Sequence, residues 1–321
     1  MIDLLRANGK FYKANLHCHS TISDGKMTPE QIKEYYKKHG YSIVAFSDHN
    51  VFVQHPELCD KEFLAVPSIE VDFSLNKEGV ATRRITCHMN FYAKNINDQV
   101  ISYEREYDIS YINEFVKKMS EKGWLCTLNH PEWSLQPTED VLALDKIHAI
   151  EVFNYHNEKT TNNGYSNGYY SQYIASSKKA FSVFADDTHC GVDQNGNLIA
   201  PSEACGGFIF VSMSELSYEA FYNSLKEGRF YPSTGVEIKE FYLDEEKDEL
   251  VIKSSPVCVV VVKSGLTWNA ERRFSNKDDI TESRFSMKEI RKTGCGAVWI
   301  ELRTLDGKRA NTQPFYYRES K

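Results

Sequence analysis

The chain lacks a surplus of positive charge: 38 Lys and Arg stand against 45 Asp and Glu, a formal net charge of −7. A broad basic surface for long nucleic acid is therefore not expected, and only a local cleft for a nucleotide or short oligonucleotide is left open. No apolar run reaches the roughly 18 residues that would span a bilayer. Met1-Ile2-Asp3-Leu4-Leu5-Arg6-Ala7-Asn8 has no secretory h-region. The eight cysteines include no CxxC pair. A disulfide framework is not expected in so long a chain, and reduced thiols in a cytoplasm are. Disorder is excluded by composition, with 41% hydrophobic and 26% charged residues. At 321 residues the chain is long for one compact core, so one large domain and a small one are expected.

What is present begins at Asn15-Leu16-His17-Cys18-His19, with Asp24 five residues on. Side chains at i and i+2 of an extended chain point to one side, so His17 and His19 can aim at a single point. Imidazole with carboxylate is a natural ligand set for a divalent metal.

Residues 11–17 read as a strand. Thr28-Pro29-Glu30-Gln31 reads as a capped helix start with Pro at the first helical position, and Gly40 as its stop. Tyr41–Ser47 is a continuous apolar run ending in Asp48-His49-Asn50, so strand, helix and buried strand suggest a parallel βαβ unit. Strands follow at 63–69 before Glu70, at 84–91 carrying His88, at 124–128 before Asn129-His130-Pro131, and at 147–153 carrying Glu151. Further strands are expected at 179–184, before Asp186-Asp187-Thr188-His189, and at 207–211. Helices are expected over 98–122, 171–179 and 214–227, the first on the stripe Ile109, Ile112, Phe115, Val116 and Met119. About seven β/α repeats suggest a barrel, with the unusual residues on the rim where barrel enzymes carry their chemistry. After residue 235 the chain turns to short β-rich runs with no helix between them, which reads as an antiparallel β-sandwich of roughly 80 residues. Val257–Val262 looks like one of its buried strands.

The rim collects His17, His19, Asp24, His49, Glu70, His88, His130, Asp187 and His189. Asp187 and His189 repeat the i, i+2 geometry, so Asp186 should face the other way. This set resembles the polymerase-and-histidinol-phosphatase (PHP) family of metal-dependent phosphoesterases. Its four motifs are His17-x-His19 with Asp24, Ser47-Asp48-His49-Asn50, Asn129-His130-Pro131 and Asp187-x-His189, over residues 11–235. The resemblance implies a distorted seven-stranded (β/α) TIM-like barrel with up to three divalent metals, zinc, iron or manganese. It places one metal on His17, His19, Glu70 and Asp187, a second on Glu70, His88 and His130, and a third on Asp24, His49 and His189. All nine residues would serve catalysis through the metals. The expected reaction is hydrolysis of a phosphate ester by metal-bound hydroxide, because divalent ions lower the pKa of bound water and offset phosphoryl charge.

Around this set several roles stay open. Asp48 either orients His49 or faces away from it. Asn50, Asn129 and Asn154 bind phosphate oxygens or serve as turn residues. Glu151 points to the barrel interior or the rim. Arg83, Arg84 and Arg229 are the candidate phosphate clamps, with an ordinary surface arginine the default for each. Residues 154–173, rich in Asn, Gly and Tyr, read as a substrate-binding loop or a surface excursion. The expected partner is a small phosphorylated metabolite or nucleotide. A nuclease of the same family and a metal-bound scaffold, with the β-sandwich as binding module, are the alternatives.

Overall fold

The computed structural model describes residues 1–74, 85–266 and 271–317. Arg83 and Arg84 lie outside the described residues. After a two-residue strand β1 (Ile2–Asp3), the first unit is β2 (Lys10–Asn15), α1 (Pro29–Lys38) and β3 (Ile43–Phe46). Thr28 and Gln31 form a reciprocal capping box at the start of α1, and Pro29 occupies its first turn. Ile32 and Tyr36 are buried beneath it. Gly40, at φ +79°, follows the end of α1, a conformation glycine adopts at little cost. β2 and β3 are parallel, as are β3 and β4 (Leu64–Ser74).

The repeat then breaks. β4 and β5 (Thr86–Tyr92) pair antiparallel from Ser68↔Tyr92 to Ser74↔Thr86, a geometry that a short connection permits. β5 is also antiparallel to β6 (Leu125–Leu128). Between them α2 (Ile109–Glu121) starts at its Asp108 cap, well after the expected 98, and buries Ile112, Phe115, Val116 and Met119. The unexpected α3 (Thr138–Ala143) leads to β7 (Ala149–Asn154), α4 (Tyr155–Thr161), α5 (Asn167–Ala175) and β8 (Phe181–Ala185). β6, β7 and β8 are parallel neighbours. β9 (Phe208–Met213), α6 (Tyr218–Glu227) and β10 (Phe230–Ser233) complete this part, with β9 antiparallel to both β2 and β10.

The fold is thus α/β with a large mixed sheet in which β2 through β8 follow in chain order. Beyond the strand ends, β8 returns to β2. The Asp187 N–H donates to the His17 carbonyl at 2.9 Å, and the His19 N–H to that of Thr188 at 3.0 Å. Ala14, Leu16, Ile43, Ala45, Val66, Val183 and Ala185 share one apolar cluster inside this curl.

The remaining strands are β11 (Ile238–Asp244), β12 (Glu249–Val257), β13 (Val259–Lys263), β14 (Glu271–Phe274), β15 (Ile280–Ser286), β16 (Ala297–Arg303), β17 (Arg309–Asn311) and β18 (Phe315–Tyr316). A short helix, α7 (Met287–Lys292), corrects the expectation of none: Ser286 caps it, and Met287 and Ile290 turn inward. One antiparallel sheet runs β1-β11-β12-β15. The other strands, β14-β13-β16-β17, join the large sheet through β10. Phe241, Leu250, Ile252, Val260, Val262, Val298, Ile300 and Leu302 form the core these strands share. The valine run is not one strand: Val257 ends β12 and β13 begins at Val259, an interior strand with Val260 and Val262 buried and Val259 and Val261 only partly so.

Among the described residues, two strand pairings cross the compositional boundary at 235. β1 pairs with β11 at Ile2↔Leu243, and Ser233 of β10 pairs with Ala310 of β17. Trp299, fully buried, turns away from the C-terminal core and packs edge-on against Tyr170 of α5 at 5.3 Å. Replacing Trp299 by Ala should therefore destabilise the chain by about 3–5 kcal/mol. Equilibrium urea unfolding checks this; a loss below about 1 kcal/mol would show that the two parts do not share this packing.

Candidate metal centre

Glu70 is the middle of the site. β4 runs on to Ser74, so Glu70 lies within the strand and not at its end. Its Oε1 is 3.1 Å from His88 Nδ1, 3.2 Å from His17 Nε2 and 3.4 Å from His130 Nε2. Its Oε2 is 2.9 Å from His49 Nδ1 and 3.3 Å from His19 Nε2. Asp187 Oδ1 lies 3.2 Å from His17 Nε2 and 3.0 Å from His19 Nε2. Asp24 faces His189 Nε2 at 3.4 Å, His49 Nε2 at 3.7 Å and His19 Nδ1 at 3.8 Å. All nine rim residues named from the sequence are brought together. Asp187 (φ +55°) and His130 (φ +25°) hold left-handed backbone conformations, which Asp and His tolerate better than most residues.

The donor set fits metal ions. Glu70 Oε2, Asp187 Oδ1 and His19 Nδ1 are buried without a hydrogen bond. The nitrogens near the two carboxylate oxygens approach them outside hydrogen-bond geometry. His17 Nε2 and His19 Nε2 are 3.1 Å apart. Atoms that each lie about 2.0–2.2 Å from one cation sit roughly 3.0–3.4 Å from one another. Four groups have ligand atoms within 4.8 Å of one another: His17, His19 and Glu70; His49, Glu70 and His88; His17, His130 and Glu151; and His19, Asp24, His49 and His189.

Without metal, charge is held here by protons. Burial acts against every charged form, yet His17, His49 and His88 hold Glu70 well below the usual carboxylate range. Burial likewise opposes charge on His88, but Glu70 and Asp72 push it up to about 10. His189 is pushed up to about 9 against burial by Asp24 and Asp187.

Supporting residues hold the set in place. Glu151, whose role the sequence left open, faces His17 Nδ1 with its Oε1 at 3.0 Å. Its Oε2 accepts from the His130 N–H at 3.0 Å and from Asn154 Nδ2 at 2.9 Å. Asn154 also donates to Asp187 Oδ2 at 3.0 Å while its own Oδ1 caps α4. Asn129 Nδ2 donates to Glu70 Oε1 at 2.7 Å. Asp48 does not reach His49. It accepts from Ser20 and Ser23 and so fixes the turn between His19 and Asp24. Asn50 Oδ1 accepts from the Asp72 N–H at 3.1 Å and from Tyr103 Oη at 3.0 Å. Asp186 faces away as expected and accepts the N–H groups of Cys205, Gly206 and Gly207, each at 2.8 Å. Burial pushes its carboxyl up to about 6 despite these donors.

Some expectations are corrected. Arg229 is at the far end of the strands: Phe230 pairs with Val211, and Val211 with Tyr12 near the start of β2. It pairs with Glu227. Residues 154–173 fold largely into α4 and α5, and Tyr170 and Tyr173 are buried in the main core because α5 docks on the sheet through them. Three neighbours were missed. Asp72 lies 3.3 Å from His88 Nε2 and pairs with Arg105. The signal was present in Glu70-x-Asp72, the same i, i+2 pattern. Glu203, 14 positions after His189 and part of no motif, carries no comparable signal, yet its Oε1 accepts the His189 N–H at 3.1 Å. Trp133, partly exposed, has its ring 5.0 Å from that of His130.

No family model and no curated protein matches the chain. Solved structures do. A two-domain protein from Bacteroides vulgatus ATCC 8482, containing a predicted PHP-like metal-dependent phosphoesterase, aligns over 98% of this chain and 92% of its own, with 12% identity and a TM-score of 0.44. A protein from Bifidobacterium adolescentis ATCC 15703, provisionally named a metal-dependent phosphoesterase, covers 55% of this chain and 87% of its own, with 14% identity and a TM-score of 0.38. An amidohydrolase from Chromobacterium violaceum, with sulfate bound and no metal, covers 55% and 87%, with 11% identity and a TM-score of 0.33. At such scores these likenesses carry no functional argument; the side chains of the rim do.

Two outcomes are expected. Ligation needs neutral imidazole, whereas His88 and His189 are protonated below about 10 and 9 in the metal-free chain. Metal uptake at pH 7 should therefore release protons, and affinity should rise with pH toward that range. Calorimetry in buffers of different protonation enthalpy reads the release directly; no release would mean that these histidines are not ligands. Glu151→Gln should weaken metal binding about 10–100-fold with the fold intact, as measured by equilibrium dialysis and circular dichroism.

Proposed function

We propose that the chain is a hydrolase acting on phosphate esters, with divalent ions held by His17, His19, Asp24, His49, Glu70, His88, His130, Asp187 and His189. The observation that carries this reading is Glu70, a buried carboxylate with five imidazoles within 3.4 Å of its two oxygens. Three ions is the number we infer, with Glu70 shared between two of them. When bound, such ions lower the pKa of water and offset negative charge on a phosphoryl group.

The chain's own residues set the direction of approach. His17, His19 and Glu70 are sealed, while Asp24 is 56% exposed in its side chain and His49 25%. Substrate therefore reaches the site from the Asp24 and His49 side. Asn129, Asn154 and Glu151 keep the inner ligands oriented, so little reorganisation is required when substrate arrives. Trp133 offers a partly exposed ring beside His88 and His130. That favours a leaving group with a flat face, such as a nucleoside, over a purely aliphatic one. We further propose that β2–β8 form a distorted barrel, supported by the bonds from Asp187 to His17 and from His19 to Thr188. The small β unit is assigned to 236–321, with β1 lent to it from the N-terminus.

The test is phosphate release by the purified chain loaded with manganese, zinc or iron. The substrates are an aryl phosphate, histidinol phosphate, nucleoside bisphosphates and short oligonucleotides. Release from at least one small ester is expected, and His17→Ala should abolish it and lower bound metal. Full activity of that variant with normal metal content would overturn the reading, and so would metal-loaded protein that releases phosphate from none of these.

A further inference from the structure

A second cleft lies away from the metal centre. It has a volume of about 220 Å³ and opens between the sheet β13-β16-β17 and the chain that joins α4 to α5. Its floor is the face of that sheet turned away from the C-terminal core. Arg303 and Arg309 are directly opposed across β16 and β17. Like charges so placed repel each other. Among the described residues neither guanidinium has an ion-pair partner. Glu301, on the same face, accepts from Trp299 Nε1 at 3.2 Å.

The other walls are polar and apolar in turn. Asn311 is 3% exposed, lines the cleft, and its carboxamide has no hydrogen bond among the described residues. Asn167 Oδ1 and Arg309 Nε are buried without partners. Buried polar atoms are rarely left so, because each costs the water it gave up. Arg309 lies over the Tyr165 ring at 4.5 Å, which holds its plane against the roof. Val259 and Val261 supply a flat apolar strip beside the arginines.

We propose that this cleft binds a small organic carboxylate with a flat apolar body. Two arginines and one glutamate leave a single net positive charge, which matches a carboxylate better than a phosphate dianion. A planar carboxylate suits the guanidinium fork, and the Asn311 amide N–H groups can complete its hydrogen bonds. The valine strip takes the apolar body. The cleft is smaller than the roughly 300–1,000 Å³ of sites for drug-sized ligands, so the occupant is a single-ring acid or its aliphatic equivalent.

The probe is benzoate, titrated calorimetrically into the full-length chain. One site per chain is expected. Arg303→Gln, an exposed position where folding should be unaffected, should weaken binding at least tenfold. Arg303→Lys should recover part of the loss. His17→Ala should leave benzoate binding unchanged, which separates this cleft from the metal centre and makes the result independent of any phosphoesterase activity. Absence of binding at millimolar benzoate would overturn the proposal. So would equal affinity in Arg303→Gln, or loss of binding in His17→Ala.

Discussion

The structure turns on one carboxylate placed where no water can reach it. Burying Glu70 as an anion is costly unless positive charge surrounds it. Five imidazoles crowd it, of which His17, His49 and His88 hold its charge, and they come from the ends or interiors of β2, β3, β5 and β6 and from the turns that follow. The site therefore requires those strands to converge. The curl of the sheet, the long antiparallel pairing of β4 with β5 and the left-handed residues after β6 and β8 all serve that convergence.

The antiparallel hairpin matters more than its departure from a regular β/α repeat suggests. Pairing β4 with β5 puts Asp72 directly opposite His88. One carboxylate on the strand then faces the shared centre, and the next on the same face holds the back of the histidine. A helical crossover between those strands would set them parallel and lose that register.

Much of the centre was legible because its chemistry sits in local patterns. His17/His19 and Asp187/His189 each follow the two-residue period of an extended chain, and Asp186 correctly falls on the other face. His49, His88, His130 and Glu70 were found by position along successive strands. What remained hidden is set by contacts distant in sequence. Glu151 meets His17 across 134 positions. Its residue type alone does not tell a supporting carboxylate from a surface one. Arg229 stayed a candidate clamp because a sequence does not show which end of a strand it occupies. The tyrosines of 154–173 stayed open for a related reason: the same ring can cover a core or greet a ligand, and only the docking of α5 decides.

The return of β8 to β2 has a consequence for how the molecule keeps its shape. The bonds that join the ends of β2 and β8 run from Asp187 to His17 and from His19 to Thr188. Three of the four seam residues, His17, His19 and Asp187, have side chains that make the centre. Fastener and chemistry are one object. Any fluctuation that unzips this edge also pulls the side chains apart, and whatever binds between those side chains clamps the edge shut. The slowest-exchanging backbone amides at this rim and the tightness of the centre are thus two readings of one equilibrium.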